Sequence, residues 1–188
     1  MICCHDGKYN CDLTPGGPGG PVGSWRATLV WEHSPGFFSC ERFQNEVFMG
    51  TYETCLGFKA QLIRLSDQKI LRTFTSTESI YHIRNQGDSY CYVACEQGNL
   101  YKMTDINGSL TLIESQTYPM GYYDACDGDG HRYSVEKKSV GPPNQVKFRR
   151  DGASWVDGNF GCKEILYNDG KLWIGAYNLS NDYKCALS

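Results

Sequence analysis

The chain has 188 residues, enough for one well-buried domain, and its 40% hydrophobic content, 21% charged content and 13 tyrosines favour strands over helices. A net charge of −3 supplies no clustered cationic surface, which argues against a nucleic-acid partner. No apolar run approaches the roughly 18 to 20 residues that cross a bilayer, and "MICCHDGKYNC" lacks a signal-peptide core, so the expectation is a protein made in the cytoplasm with no membrane partner.

The chain opens on cysteines. Cys3, Cys4 and Cys11 lie near His5, and thiolate and imidazole are zinc ligands. Adjacent cysteines rarely hold one tetrahedral ion, however, and no second Cys-x-x-Cys follows, so intermolecular disulfides or an unstructured tip fit this spacing better. These three cysteines are candidate intersubunit contacts, and no metal or other cofactor is expected. Residues 14–23, "TPGGPGGPVG", disfavour both helix and ladder, which makes residues 1–24 a flexible arm. Cys91, Cys162 and Cys185 instead sit inside strand-like stretches and read as buried thiols.

From Trp25 onward no 3.6-residue apolar period is sustained; short β-branched and aromatic runs end at Gly, Asn or Asp. One such run recurs at intervals of 40 to 43 residues: "NEVFMGTY" from Asn45, "DSYCYVAC" from Asp88, "GHRYSVEK" from Gly130 and "GKLWIGAY" from Gly170. Each copy follows another short strand, respectively "FFSCERF", "SIYHIRN", "YYDACDG" and "GCKEILY", and precedes a third, "AQLIRLS", "NLYKMTD", "QVKFRRD" or "DYKCALS". A fourth strand follows in three units, "KILRTFTS", "SLTLIESQ" and "ASWVDGN", while the last unit lacks one. "WRATLVWEH" from Trp25 has the character to fill that vacancy.

Four ordered elements per unit over residues 25–188 resemble the β-propeller superfamily, and "DGKLWIGAYN" looks like the second strand of many propeller blades. The resemblance is to a shape and names no specific family; hemopexin-like four-bladed rings are similar in size only, without their blade motif here. It implies an all-β fold: a four-bladed β-propeller of four-stranded antiparallel blades, closed by pairing the N-terminal strand near Trp25 with the C-terminal blade.

Aligning the inner strands places Ser39, His82, Asp124 and Glu164 at corresponding positions, where they would face a central channel and hold water, a cation or a hydroxyl-rich ligand, or simply hydrogen-bond to neighbouring blades. Asp124 and Glu164 also invite the paired carboxylates of glycoside hydrolysis, but sequence spacing says nothing about their separation. With no nucleophile triad or phosphate loop in the chain, the reading is non-catalytic. "DACDGDGH" lacks the acidic residue that completes a calcium loop and reads as a hairpin turn. Large side chains pack blades together, so Trp173 and Tyr133 are expected in the core, while Tyr118, Tyr122 and Tyr123, read as loop residues, are candidate aromatic ligand contacts.

Two functions follow. The first is a structural or interaction protein, a rigid disc docking with other protein subunits in a larger assembly such as a viral particle or appendage, through its surface and arm, with self-association expected. The alternative is a carbohydrate-binding or glycan-hydrolysing propeller using the channel mouth.

Overall fold

The computed structural model describes residues 36–52, 59–74, 78–96, 98–117, 121–137, 146–158, 161–177 and 183–187, and two short segments at 14–15 and 25–26. Every regular element among them is a β-strand, and every pairing is antiparallel.

The two shortest strands, β1 (Thr14–Pro15) and β2 (Trp25–Arg26), pair with each other, so part of the segment expected to be only an arm enters a ladder. The rest of "WRATLVWEH" lies outside the described residues, and the pairing expected between Trp25 and the last sheet is not among the described ladders.

The remaining strands make four successive sheets, each an antiparallel meander in chain order. Sheet one is β3 (Phe37–Phe43), β4 (Glu46–Thr51), β5 (Gln61–Arg64) and β6 (Lys69–Thr73). Sheet two is β7 (Ile80–Gln86), β8 (Tyr90–Cys95), β9 (Asn99–Met103) and β10 (Leu110–Ser115). Sheet three is β11 (Tyr122–Gly128), β12 (His131–Lys137), β13 (Val146–Arg150) and β14 (Ala153–Gly158). Sheet four has three described strands, β15 (Gly161–Asn168), β16 (Lys171–Tyr177) and β17 (Tyr183–Leu187).

Turn chemistry drives this meander. The first hairpin of each sheet turns through two consecutive residues of positive φ: Gln44 and Asn45, Gly87 and Asp88, Asp129 and Gly130, Asp169 and Gly170. That is the type I′ geometry whose twist matches the flanking strands. The "DGDG" stretch is one of these hairpins. Gln44 is a costly residue there, and it is held from outside: its N–H donates to Asp88 Oδ1 at 3.1 Å and its side-chain amide to the Asp88 carbonyl at 3.3 Å, in the corresponding turn of the next sheet.

Apolar side chains fill the spaces between consecutive sheets. Phe43, Phe48 and Leu62 of sheet one pack with Ile80, Ile83, Val93 and Met103 of sheet two. Tyr92, Ala94 and Leu100 then meet Tyr122 and Ala125 of sheet three, and Val135, Val146 and Phe148 meet Ile165, Leu172 and Ile174 of sheet four. Each fully buried large side chain contributes about 1.5–3 kcal/mol. The first strands of the sheets, β3, β7, β11 and β15, consequently run side by side in that order and are called the inner strands below.

Cys91 and Cys162 are buried thiols as expected, joined by Cys95 and Cys126; the side chain of Cys185 lies outside the described residues. Tyr133 is buried, but Trp173 is not. Leu172 and Ile174 face sheet three, so alternation turns Trp173 to the opposite face, where it remains 39% exposed.

Candidate functional site

All four inner strands break register at one place. Against the strand beside it, β3 skips between Phe37 and Ser39, β7 between Ile80 and His82, β11 between Tyr122 and Asp124, and β15 between Cys162 and Glu164. The extra residues are Phe38, Tyr81, Tyr123 and Lys163. A bulge bends its strand and re-aims the side chain it carries, and here four bulges aim four side chains at one end of the inner strands.

These side chains meet. The ring centres of Phe38 and Tyr81 are 4.9 Å apart and those of Tyr81 and Tyr123 are 4.8 Å apart, both tilted. Lys163 Nζ lies 5.4 Å from the centre of the Tyr81 ring, within reach of a cation–π attraction. Tyr52, just past β4, packs its ring 5.2 Å from Phe38 and donates its hydroxyl to Glu96 Oε2 at 2.6 Å. Gly36, Phe37, Phe38, Tyr52, Tyr81, Glu96 and Lys163 together line a cleft of about 290 Å³. A second cleft, of about 360 Å³, opens near the hairpin-turn end, between Arg84, Gln86 and Tyr90 of sheet two, Asp127 of sheet three and Leu166 and Tyr167 of sheet four.

One residue beyond each bulge stand Ser39, His82, Asp124 and Glu164, paired with Gly50, Ala94, Val135 and Gly175. The correspondence expected from the sequence is therefore present, but the four do not share one role. Ser39 Oγ accepts the N–H of Ile83 at 2.8 Å, and Asp124 Oδ2 accepts the N–H of Ile165 at 2.9 Å. In each case the side chain of one sheet satisfies a backbone donor of the next. Asp124 is fully buried, also accepts the N–H of Ala125 at 2.8 Å, and is gripped by Arg84, whose Nη2 is 2.6 Å from Oδ2 and whose Nε is 2.9 Å from Oδ1.

Burial works against the charge of Arg84, and the hydrogen bonds and charge of Asp124 outweigh it, so the guanidinium pKa is raised. His82 Nδ1 is 3.6 Å from Asp124 Oδ2, and its Nε2 is 3.5 Å from Arg84 Nη2. Glu164 is exposed. Asp124 and Glu164 are therefore unequal: one is spent on a buried ion pair and two backbone donors, the other is solvated. Among the described residues no three His, Cys, Asp or Glu side chains group so as to hold a metal ion.

Tyr122 and Tyr123 begin β11 rather than lying on a loop. Tyr122 is fully buried with its hydroxyl donated to Glu114, which removes it from ligand contact, whereas Tyr123 forms the floor under Tyr81. Tyr118, Cys3, Cys4 and Cys11 lie outside the described residues. Sequence reasoning missed Arg84, although a residue two beyond His82 on a strand shares its face. It also missed the cleft residues Phe38, Tyr81 and Lys163, each of which directly precedes a member of the polar set.

No protein-family model matches the chain, and no curated protein sequence matches it. Solved structures do: the crystal structure of the computationally designed Ika4 protein superposes with a TM-score of 0.52 at 11% identity, covering 82% of this chain and 92% of that one. At that identity the likeness concerns the fold alone.

Proposed function

We propose that the chain is a four-bladed β-propeller serving as a non-catalytic interaction protein, a rigid ring that docks with other protein subunits in a larger assembly through its surface and its N-terminal arm. Four meander sheets in chain order, inner strands side by side and apolar cores between consecutive sheets support the ring. The approach of Lys163 in sheet four to Tyr81 in sheet two supports it further, because these sheets are not consecutive and a ring brings their inner strands close to a common axis. Closure would come from residues 25–33 adding a strand outside β17, where sheet four has three described strands against four in the others.

The observation that carries the docking role is a set of exposed apolar side chains on the outermost strands: Ile70 on β6, Leu112 on β10 and Val156 on β14, 47%, 52% and 47% exposed. Exposed apolar side chains repeated along the rim of a ring suit contact with other subunits. Leu166 and Trp173, cross-strand partners on the face of sheet four turned away from sheet three, would face sheet one in a closed ring. The non-catalytic part rests on chemistry already spent: Asp124 is committed to Arg84, and the thiols of Cys126 and Cys162 are pushed up to about 12 by burial, far from a reactive thiolate.

Light scattering across a concentration series tests the role. The full chain is expected to self-associate, and Ile70→Lys with Leu112→Lys, or removal of residues 1–24, to reduce it. A monodisperse monomer at high concentration that none of these changes affects would remove the reading.

A further inference from the structure

We propose that the cleft at the bulged end of the inner strands is a carbohydrate site that takes a single neutral pyranose ring, the terminal residue of a glycan. This small-molecule site is independent of the docking role and needs neither the arm nor self-association.

Its construction is the first argument. Four equivalent bulges on four strands converge there, and three of the four residues they present are aromatic. Phe38, Tyr81 and Tyr123 form a continuous run of rings at 4.8 to 4.9 Å spacing, with Tyr52 as a side wall 5.2 Å from Phe38. Phe37, Phe38, Tyr52 and Tyr81 are all half-buried, so ring surface borders open space rather than being consumed by the core.

The polar groups select the ligand. Apolar rings alone would suit any greasy molecule, but this cleft also carries the Lys163 ammonium, an exposed hydrogen-bond donor, and the Glu96 carboxylate, an acceptor. A pyranose matches both halves. Its axial C–H face is apolar enough to lie on an aromatic ring, and its hydroxyls both donate to a carboxylate and accept from an ammonium. A quaternary ammonium would suit the rings and Glu96, but Lys163 already holds a positive charge 5.4 Å from the Tyr81 face and opposes it. An acidic sugar would gain from Lys163 and lose against Glu96, so a net negative charge brings it no clear advantage. A neutral ring uses both groups as hydrogen-bond partners and meets no like charge.

Size agrees. About 290 Å³ lies just under the roughly 300 Å³ at which drug-sized ligand clefts begin. That is room for one ring and not for a folded peptide segment.

Saturation-transfer NMR on the full-length protein with methyl pyranosides of glucose, galactose, mannose and N-acetylglucosamine, at millimolar concentration, tests the site. At least one pyranoside should receive saturation, strongest at its ring C–H protons. Lys163→Ala removes an exposed side chain and should weaken that binding about tenfold, the loss of one charge-assisted hydrogen bond, with an unchanged melting temperature. Tyr81→Leu keeps bulk under the cleft and should abolish transfer to the ring protons. The proposal is overturned if no pyranoside receives saturation, if Lys163→Ala and Tyr81→Leu bind as the unaltered chain does, or if tetramethylammonium occupies the cleft in their place.

Discussion

Arg84 of sheet two grips Asp124 of sheet three, and the same carboxylate accepts the backbone N–H of Ile165 in sheet four. One side chain therefore joins three consecutive sheets. Ser39 joins sheets one and two in the same way, from the same register position, by accepting the N–H of Ile83. The inner strands are stitched to one another by side chains because adjacent sheets share no ladder.

Asp124→Ala should destabilise the fold by about 3–5 kcal/mol, since it strands a buried guanidinium and two backbone donors. Ser39→Ala leaves one buried N–H unpaired and should cost about 1–3 kcal/mol. Urea unfolding of the two variants measures both, and equal costs would contradict the unequal roles assigned to these positions.

Gly121, just before β11, has no room for a methyl group. A Cβ there would stand 2.1 Å from the backbone oxygen of Glu96, which directly follows β8 of sheet two and cannot swing aside as a side chain would. Gly121→Ala should therefore cost about 3 kcal/mol or more by forcing the sheets apart. The expected reading is a lower denaturation midpoint; a midpoint unchanged from the parent would show that the two sheets are not held this closely.

Burial raises the thiols of Cys91, Cys95, Cys126 and Cys162, the last two to about 12, and the phenols of Tyr92 and Tyr101 to about 12 as well. The folded chain holds these protons more tightly than the unfolded one. Their contribution to stability is whole below the unfolded thiol value of about 8.5 and is lost as pH rises toward the folded values. Melting temperature should fall steadily above about pH 9. At pH 8, iodoacetamide followed by peptide mass spectrometry should leave the four thiols unmodified in the native protein and modify them after unfolding.

Much of this architecture was written in the sequence. The strands of all four units fall where the repeat of "NEVFMGTY" and its three counterparts put them, because Asp129–Gly130 and Asp169–Gly170 carry their turn chemistry in the residues themselves. Gln44 does not: its positive φ is sustained by Asp88, forty-four positions away. Alternation with period two located the strands and the polar set, but a bulge adds one residue without altering composition. Phe38, Tyr81 and Lys163 thus read as ordinary strand positions rather than as the lining of a cleft. Trp173 was misjudged for a related reason, since residue size indicates capacity for burial and not which face of a sheet is covered.

The central claim, a ring closed by the segment after Trp25, is tested most directly by backbone NOEs in the full-length protein. The ring predicts interstrand contacts between residues 25–33 and Tyr183–Leu187 on the outer edge of β17. An assigned spectrum in which residues 25–33 make no contact with β17, or in which the outer edge of β17 pairs with another segment, would contradict it.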